Sequence, residues 1–267
     1  MNADRTIKLA LYVYIALAFL FIFTPIAASF IFSFNSDRFP SLPLGSFSLK
    51  WYQTVLARPE VIEAARTSLI VAVCSAILST FIGFCTAYTD YRYNFFGKQA
   101  YLALAMLPPT IPLIIMALAM LSWLAQIGLS GKIISIIISH TVLGAPFAMA
   151  VIRLRLNDMD GSLEAAGWNL GASEWRAMWE VVIPFAKPAI IAALCLTAAV
   201  SFDEFAVAWF VSGLNKTIPV VILEILQGNV DPQINAIGTF VFVISMTLII
   251  IAQTLLMSRG KKEEAAK

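Results

Sequence analysis

Ala236–Met257 reads AIGTFVFVISMTLIIIAQTLLM, 22 residues without one Asp, Glu, Lys or Arg. An α-helix rises 1.5 Å per residue, so about 20 apolar residues cross the roughly 30 Å hydrocarbon core of a bilayer. This stretch is long enough and apolar enough to be a membrane helix. Working outward from it, five further runs have the same character, at Leu9–Phe34, Ser68–Thr89, Tyr101–Leu124, Ile133–Ile152 and Pro188–Val211. The first run exceeds a signal-peptide core of about 7 to 15 residues and lacks a clear small-x-small cleavage site, so it reads as a retained helix. The fourth is interrupted by Ser139, His140, Gly144 and Pro146. The expectation is an all-α polytopic membrane protein with six transmembrane helices, forming a single domain over residues 1–267.

Composition agrees, with 60% hydrophobic and 13% charged residues against roughly 45–50% and 25% in soluble domains. A net charge of +2, scattered in short clusters, gives no basic stripe and excludes a nucleic-acid partner. Cys74, Cys85 and Cys195 lie in apolar runs without CxxC or His/Cys spacing, so buried inert thiols are expected, with no metal site. Twelve Lys and Arg fall on one side of the membrane, Arg92, Lys98, Arg153, Arg155 and the C-terminal cluster through Lys267 among them, and six on the other. By the positive-inside rule both termini are cytoplasmic.

The loop from 157 to 187 between the fourth and fifth runs reads as helix, turn and helix. Ser162–Ala166 starts the first helix and Gly171 stops it as a left-handed cap. Ser173 caps the second helix, Glu174 sits in its first turn, and Pro184 is expected to end it. Trp175, Met178, Trp179 and Val182 recur at helical spacing, giving an apolar face that either folds back on the chain or docks on another subunit.

Glu164-Ala165-Ala166, Gly171 and, thirteen residues later, Pro184 in Val181-Val182-Ile183-Pro184 resemble the EAA loop of permease subunits of bacterial binding-protein-dependent ABC importers. The family usually places its glycine six residues after the Glu, whereas Gly171 follows Glu164 by seven; either one residue is inserted or Ala165 holds the motif Glu position. The resemblance extends along the chain. Phe34-Asn35-Ser36, Lys50-Trp51-Tyr52, Ser201-Phe202-Asp203-Glu204-Phe205 and Asp231-Pro232-Gln233-Ile234-Asn235-Ala236 are similar to the spermidine/putrescine subgroup.

What the resemblance implies is an inner-membrane permease importing a small cationic or nitrogenous solute, a polyamine above all, with opines or amino-acid derivatives as the alternative. It implies that Glu164, Ala165, Ala166, Gly171, Ala172, Ser173 and Pro184 form a cytoplasmic coupling element gripped by an ATPase. The implied partners are a second related permease, a homodimeric ATPase that binds ATP and Mg, and a periplasmic substrate-binding protein. No cofactor and no catalytic residue is expected in this chain. Gly128-Leu129-Ser130-Gly131-Lys132 has the wrong spacing for a nucleotide-binding loop.

Ionised Asp203 and Glu204 in the fifth run would each cost about 3 kcal/mol against lipid, so they should face a cavity or another subunit. They line the substrate pathway or form a structural pair. Trp209 and Phe210 follow, where rings either flank a cationic solute or belong to an interfacial aromatic belt, the belt being favoured. His140 is expected to be a packing residue rather than a proton relay. Pro108, Pro109 and Pro112 should kink or break the third run. A secondary transporter would need internal repeats and midplane ion sites, and an intramembrane enzyme HExxH or GxSxG; none of these is present in the sequence.

Overall fold

The computed structural model describes residues 3–38, 43–228 and 232–264, so Asp231 and Lys267 lie outside the described residues. Twelve α-helices account for most of these residues, and the one β-bridge among them pairs Asn35 with Phe47. Five helices are long and apolar enough to cross a membrane: Arg5–Ser33, Pro59–Arg92, Ile133–Asn157, Glu174–Asp203 and Gln233–Leu255. The chain is a polytopic all-α membrane protein. It comprises two compact units, Met1–Val61 with Ile222–Phe242 and Ile62–Val221 with Val243–Lys267.

In the first unit α1 (Ala3–Ser33) is apolar on all sides, as a helix bathed in hydrocarbon must be. Beyond it the chain ties a small knot with α2 (Lys50–Leu56). The Phe34 ring stacks on Phe47 and tilts against Tyr52, each with centroids 5.3 Å apart. Trp51 Nε1 donates to the Asn35 carbonyl at 2.7 Å, and Asn35 Oδ1 accepts from the Gly45 amide at 2.9 Å. The two motifs, Phe34–Ser36 and Lys50–Tyr52, therefore hold each other.

In the second unit α3 (Pro59–Arg92), α6 (Ile133–Asn157) and α9 (Ile183–Asp203) pack through small residues. Ala87, Ala148, Ala186, Ala189 and Ala193 surround Met149, Ile152 and Leu156, all buried. With no hydrophobic gain between helices in lipid, small side chains let backbones approach and dispersion hold them. Gly83 lies where α3 and α6 come close together: a Cβ there would lie 2.6 Å from the Met149 amide nitrogen. We expect Gly83→Ala to cost about 1–3 kcal/mol through overpacking, seen as a lowered thermal midpoint of the purified protein in detergent; an unchanged midpoint would mean that the helices relax freely.

One expectation needs correction, that of the cysteines. The third run is divided, as its prolines led one to expect. It divides into α4 (Lys98–Ala105), a 3-10 turn at Pro108–Thr110 and α5 (Leu113–Gln126), because three prolines without N–H groups prevent the helical ladder from continuing. The fourth run is a span as expected, one helix that continues through Pro146 with Ser139 and His140 buried. The cysteines are not buried: Cys85 is exposed and Cys74 and Cys195 are half-buried, since an apolar position on a membrane helix need not face protein.

Candidate functional site

Two constellations carry the residues singled out by the sequence. The first is the loop between α6 and α9. Here α7 (Gly161–Asn169) starts on Asp160, whose carboxylate accepts from the Ser162 amide at 2.9 Å. That bond holds the Asp160 carboxyl below the usual carboxylate range. Gly171 takes φ +85°, the left-handed conformation a C-terminal cap requires. Ser173 Oγ then accepts from the Arg176 amide at 3.3 Å and starts α8 (Glu174–Ala177).

From here the structure departs from expectation, since α8 does not stop at Pro184. A π turn, Met178–Val182, carries it directly into α9, so that residues Glu174–Asp203 form one helical rod. The wide turn lies just ahead of Pro184, at the point where the proline's missing N–H and bulky ring would otherwise disturb the ladder. The apolar face is divided. Val182 is buried and Met178 half-buried, while Trp175 and Trp179 project outward, ring edge to face at 6.0 Å. Leu163 and Leu170 are exposed nearby, Leu170 at 89%.

Glu164 points the other way and is 3% exposed. Its Oε1 accepts from the Tyr88 hydroxyl at 3.3 Å and lies 3.7 Å from Arg92 Nε, both on α3. Arg92 also reaches Glu174 Oε1 at 3.5 Å, and its guanidinium lies over the Trp168 ring at 4.3 Å. Ala165 is half-buried and Ala166 exposed, while Ala172 is half-buried beside exposed Gly171 and Ser173. The motif residues thus include one inward anchor, Glu164, and outward groups beside it. Sequence reasoning passed over Arg92 and Tyr88; Arg92 stood out only as one of the charges that set orientation.

The second constellation is a break in the fifth span. Asp203 ends α9, Glu204 is extended with ψ 121°, and α10 (Ala206–Val211) restarts the helix. Asp203 and Glu204 line a cleft of about 440 Å³ with Leu113, Val200, Phe205 and Ile249. Asp203 is exposed there; its Oδ1 accepts from Ser245 Oγ at 2.7 Å, and no cation pairs with it among the described residues.

The Glu204 carboxylate turns instead to α10, accepting from the amides of Val207 and Ala208 at 3.1 Å. His140 Nε2 approaches Glu204 Oε2 to 3.4 Å, and its Nδ1 meets Ser201 Oγ at 2.8 Å, which is joined to Ser75 Oγ at 2.9 Å. His140 is thus packed and buried, with an acid beside it that 64 positions of sequence separation had concealed. Trp209 is not among the cleft-lining residues; it and Phe210 pack on the buried cluster of Val71, Met116, Leu124, Ile136 and Val211.

A second ion cluster, centred on a buried carboxylate, was not foreseen. Asp90, near the end of α3, holds both Lys98 Nζ at 3.1 Å and Arg153 Nε. It ties α3, α4 and α6 together beside Arg92.

The profile of the family described as binding-protein-dependent transport system inner membrane component matches residues 79–259, which include both constellations. The chain is 32% identical to the spermidine/putrescine transport system permease protein PotC of Haemophilus influenzae, covering 91% of this chain and 93% of that one. It is 28% identical to the putrescine transport system permease protein PotI of Escherichia coli, covering 86% and 84%. In fold it is similar to a chain of a bacterial alginate ABC transporter solved in complex with an alginate-pentasaccharide-bound periplasmic protein. That chain is 16% identical and superposes with a TM-score of 0.74 over 96% of this chain and 95% of its own.

Proposed function

Because this chain belongs to the family of binding-protein-dependent transport system inner membrane components, we propose that it is the permease subunit of an inner-membrane ABC importer for a polyamine of the putrescine or spermidine kind. It forms half of the pathway, and a second related permease forms the other half. A periplasmic binding protein delivers the solute, and a homodimeric cytoplasmic ATPase supplies the energy by binding and hydrolysing ATP with Mg. The chain's part is alternating access: closure of the ATPases moves the 157–187 loop, and the helices carry the cavity from one side to the other. Both termini are cytoplasmic.

One observation carries the choice of solute. Asp203 presents a carboxylate to an otherwise largely apolar cleft in a broken membrane helix, with no cation beside it among the described residues. Such a group is expensive to maintain in the membrane, and an ammonium group neutralises it by a charge-assisted hydrogen bond. The coupling role is supported by the inward anchor Glu164 and the outward Trp175, Trp179, Leu163 and Leu170, an apolar surface suited to a partner groove.

The test is uptake of labelled putrescine and spermidine by cells dependent on this importer, together with co-purification of the ATPase. We expect saturable uptake of at least one polyamine, and loss of the retained ATPase when 157–184 is deleted. Retention of the ATPase without the loop, or labelling of Gly171→Cys by an impermeant reagent from the periplasm, would overturn the coupling role; absence of polyamine uptake would overturn the solute.

A further inference from the structure

We infer that Glu204 is a positioning residue, not a contact for the solute, and that His140 holds it from behind to keep the fifth span broken. The inference rests on the permease reading for the meaning of the break, but its geometry stands apart from the solute assigned to Asp203.

A carboxylate offers about four lone-pair positions. Glu204 commits both oxygens to the first free amides of α10, Oε1 and Oε2 to Val207 and Oε2 to Ala208. His140 Nε2 stands 3.4 Å from Oε2, which already accepts two amides, so the uncommitted lone pair is the second one on Oε1 of Glu204. Its side chain is 8% exposed, so little of the carboxylate is left for a ligand. Those two amides need it. A helix restarting at the depth of a membrane span leaves N–H groups without intrahelical acceptors, and no lipid atom replaces them. An acidic side chain immediately ahead of the new helix satisfies them and also suits the positive end of the peptide dipoles.

His140 completes the arrangement. A bare ring nitrogen facing a carboxylate at 3.4 Å is repulsive, so Nε2 carries the proton; in the neutral ring Nδ1 is then the acceptor, taking the Ser201 hydroxyl hydrogen at 2.8 Å. Ser201 in turn accepts from Ser75 on α3. Ser75, Ser201 and His140, one each from α3, α9 and α6, therefore stand in line behind the Glu204 carboxylate, hydrogen-bonded up to Nδ1 and ending in a 3.4 Å approach of Nε2 to Oε2 that is outside hydrogen-bond geometry. Asp203, by contrast, is exposed, with one hydrogen bond from Ser245 and its second oxygen without a partner among the described residues.

Neutralising each acid with its isosteric amide separates the two roles, because a glutamine oxygen still accepts an amide hydrogen while its charge is gone. In the full importer reconstituted in liposomes with loaded binding protein, Glu204→Gln should keep putrescine uptake within about threefold of the parent. Glu204→Leu and His140→Leu should lower it about tenfold or more, and hydrogen exchange at the Val207 and Ala208 amides, read by mass spectrometry in nanodiscs, should quicken about tenfold in Glu204→Leu. His140→Gln, which retains a donor near the Nε2 position, should restore much of the uptake lost in His140→Leu. The inference is overturned if Glu204→Gln abolishes uptake while exchange at those amides is unaltered, since Glu204 would then be reading solute charge. It is also overturned if exchange in Glu204→Leu stays at the parental rate, whether or not that variant transports. Asp203→Asn serves as the separate arm: undiminished uptake there removes the solute contact proposed for Asp203 and leaves the exchange result at α10 to decide the role of Glu204.

Discussion

Asp203→Asn is expected to lower polyamine uptake about tenfold or more while the assembled importer is recovered in full. The substitution is nearly isosteric, and the asparagine carbonyl can still accept the Ser245 hydroxyl hydrogen that Oδ1 accepts at 2.7 Å. Only charge is removed. A hydrogen bond to an ionised group contributes about 1.5–3 kcal/mol, and each 1.4 kcal/mol is a factor of ten. Losing that interaction with a passing ammonium group therefore slows the step in which the solute leaves the binding protein for the cleft. Initial rates of labelled putrescine uptake, with saturating loaded binding protein, measure it. Asp203→Glu, with the charge restored one methylene further out, should recover part of the rate. Uptake by Asp203→Asn equal to that of the parent would remove Asp203 from the pathway.

A second large effect is expected of Arg92→Ala, and it lies in coupling. Arg92 meets both arms of the 157–187 loop, reaching Glu164 at 3.7 Å and Glu174 at 3.5 Å while covering the Trp168 ring. Without it Glu164 is left buried with the Tyr88 hydroxyl as its described partner. Breaking a fully buried pair costs about 3–5 kcal/mol, and a partly exposed arginine with a longer contact reduces this to about 1–3 kcal/mol. That is enough to loosen α7 from the end of α3 without unfolding the spans. Uptake should fall about tenfold while ATP hydrolysis continues, so the moles of ATP hydrolysed per mole of polyamine imported should rise. Arg92→Lys should fall between, since it keeps the charge and loses the flat guanidinium that stacks on Trp168. An unchanged ratio in Arg92→Ala would mean that movement of the loop reaches the membrane by another route.

How far these features were legible in the sequence depends on how local their physics is. Length and apolarity placed α1, α3, α6 and α12, because lipid imposes the same requirement on every span. Gly171 and Ser173 were readable for the same reason: a left-handed turn and an amide acceptor are needs of the adjacent backbone. Pro184 misled because a π turn beside it absorbs a defect that usually ends a helix. The breaks at 106–112 and 204–205 differ in kind. Prolines announce the first, whereas the second follows from Glu204 capping α10, a role that shows only when the chain is folded. His140 beside Glu204, Ser245 beside Asp203 and Arg92 beside Glu164 are partnerships across 42 to 72 positions, for which a single sequence carries no signal. Trp209 shows the reverse difficulty: an aromatic one to two turns beyond two acids looks like a solute clamp, yet its ring serves the packing of α5, α6 and α10.

The unbroken run from Glu174 to Asp203 has a mechanical meaning under the proposed mechanism. At 1.5 Å per residue its 30 residues make a shaft about 45 Å long, with Trp175 and Trp179 near one tip and the Asp203 carboxylate at the other. Force applied to the indoles reaches that acid along one continuous helical backbone, through the π turn at Met178–Val182, so a modest tilt of the shaft sweeps the charge across the cleft mouth. A swivel lies at the extended residue immediately past its far tip, where the lever gives way to a short, separately seated segment.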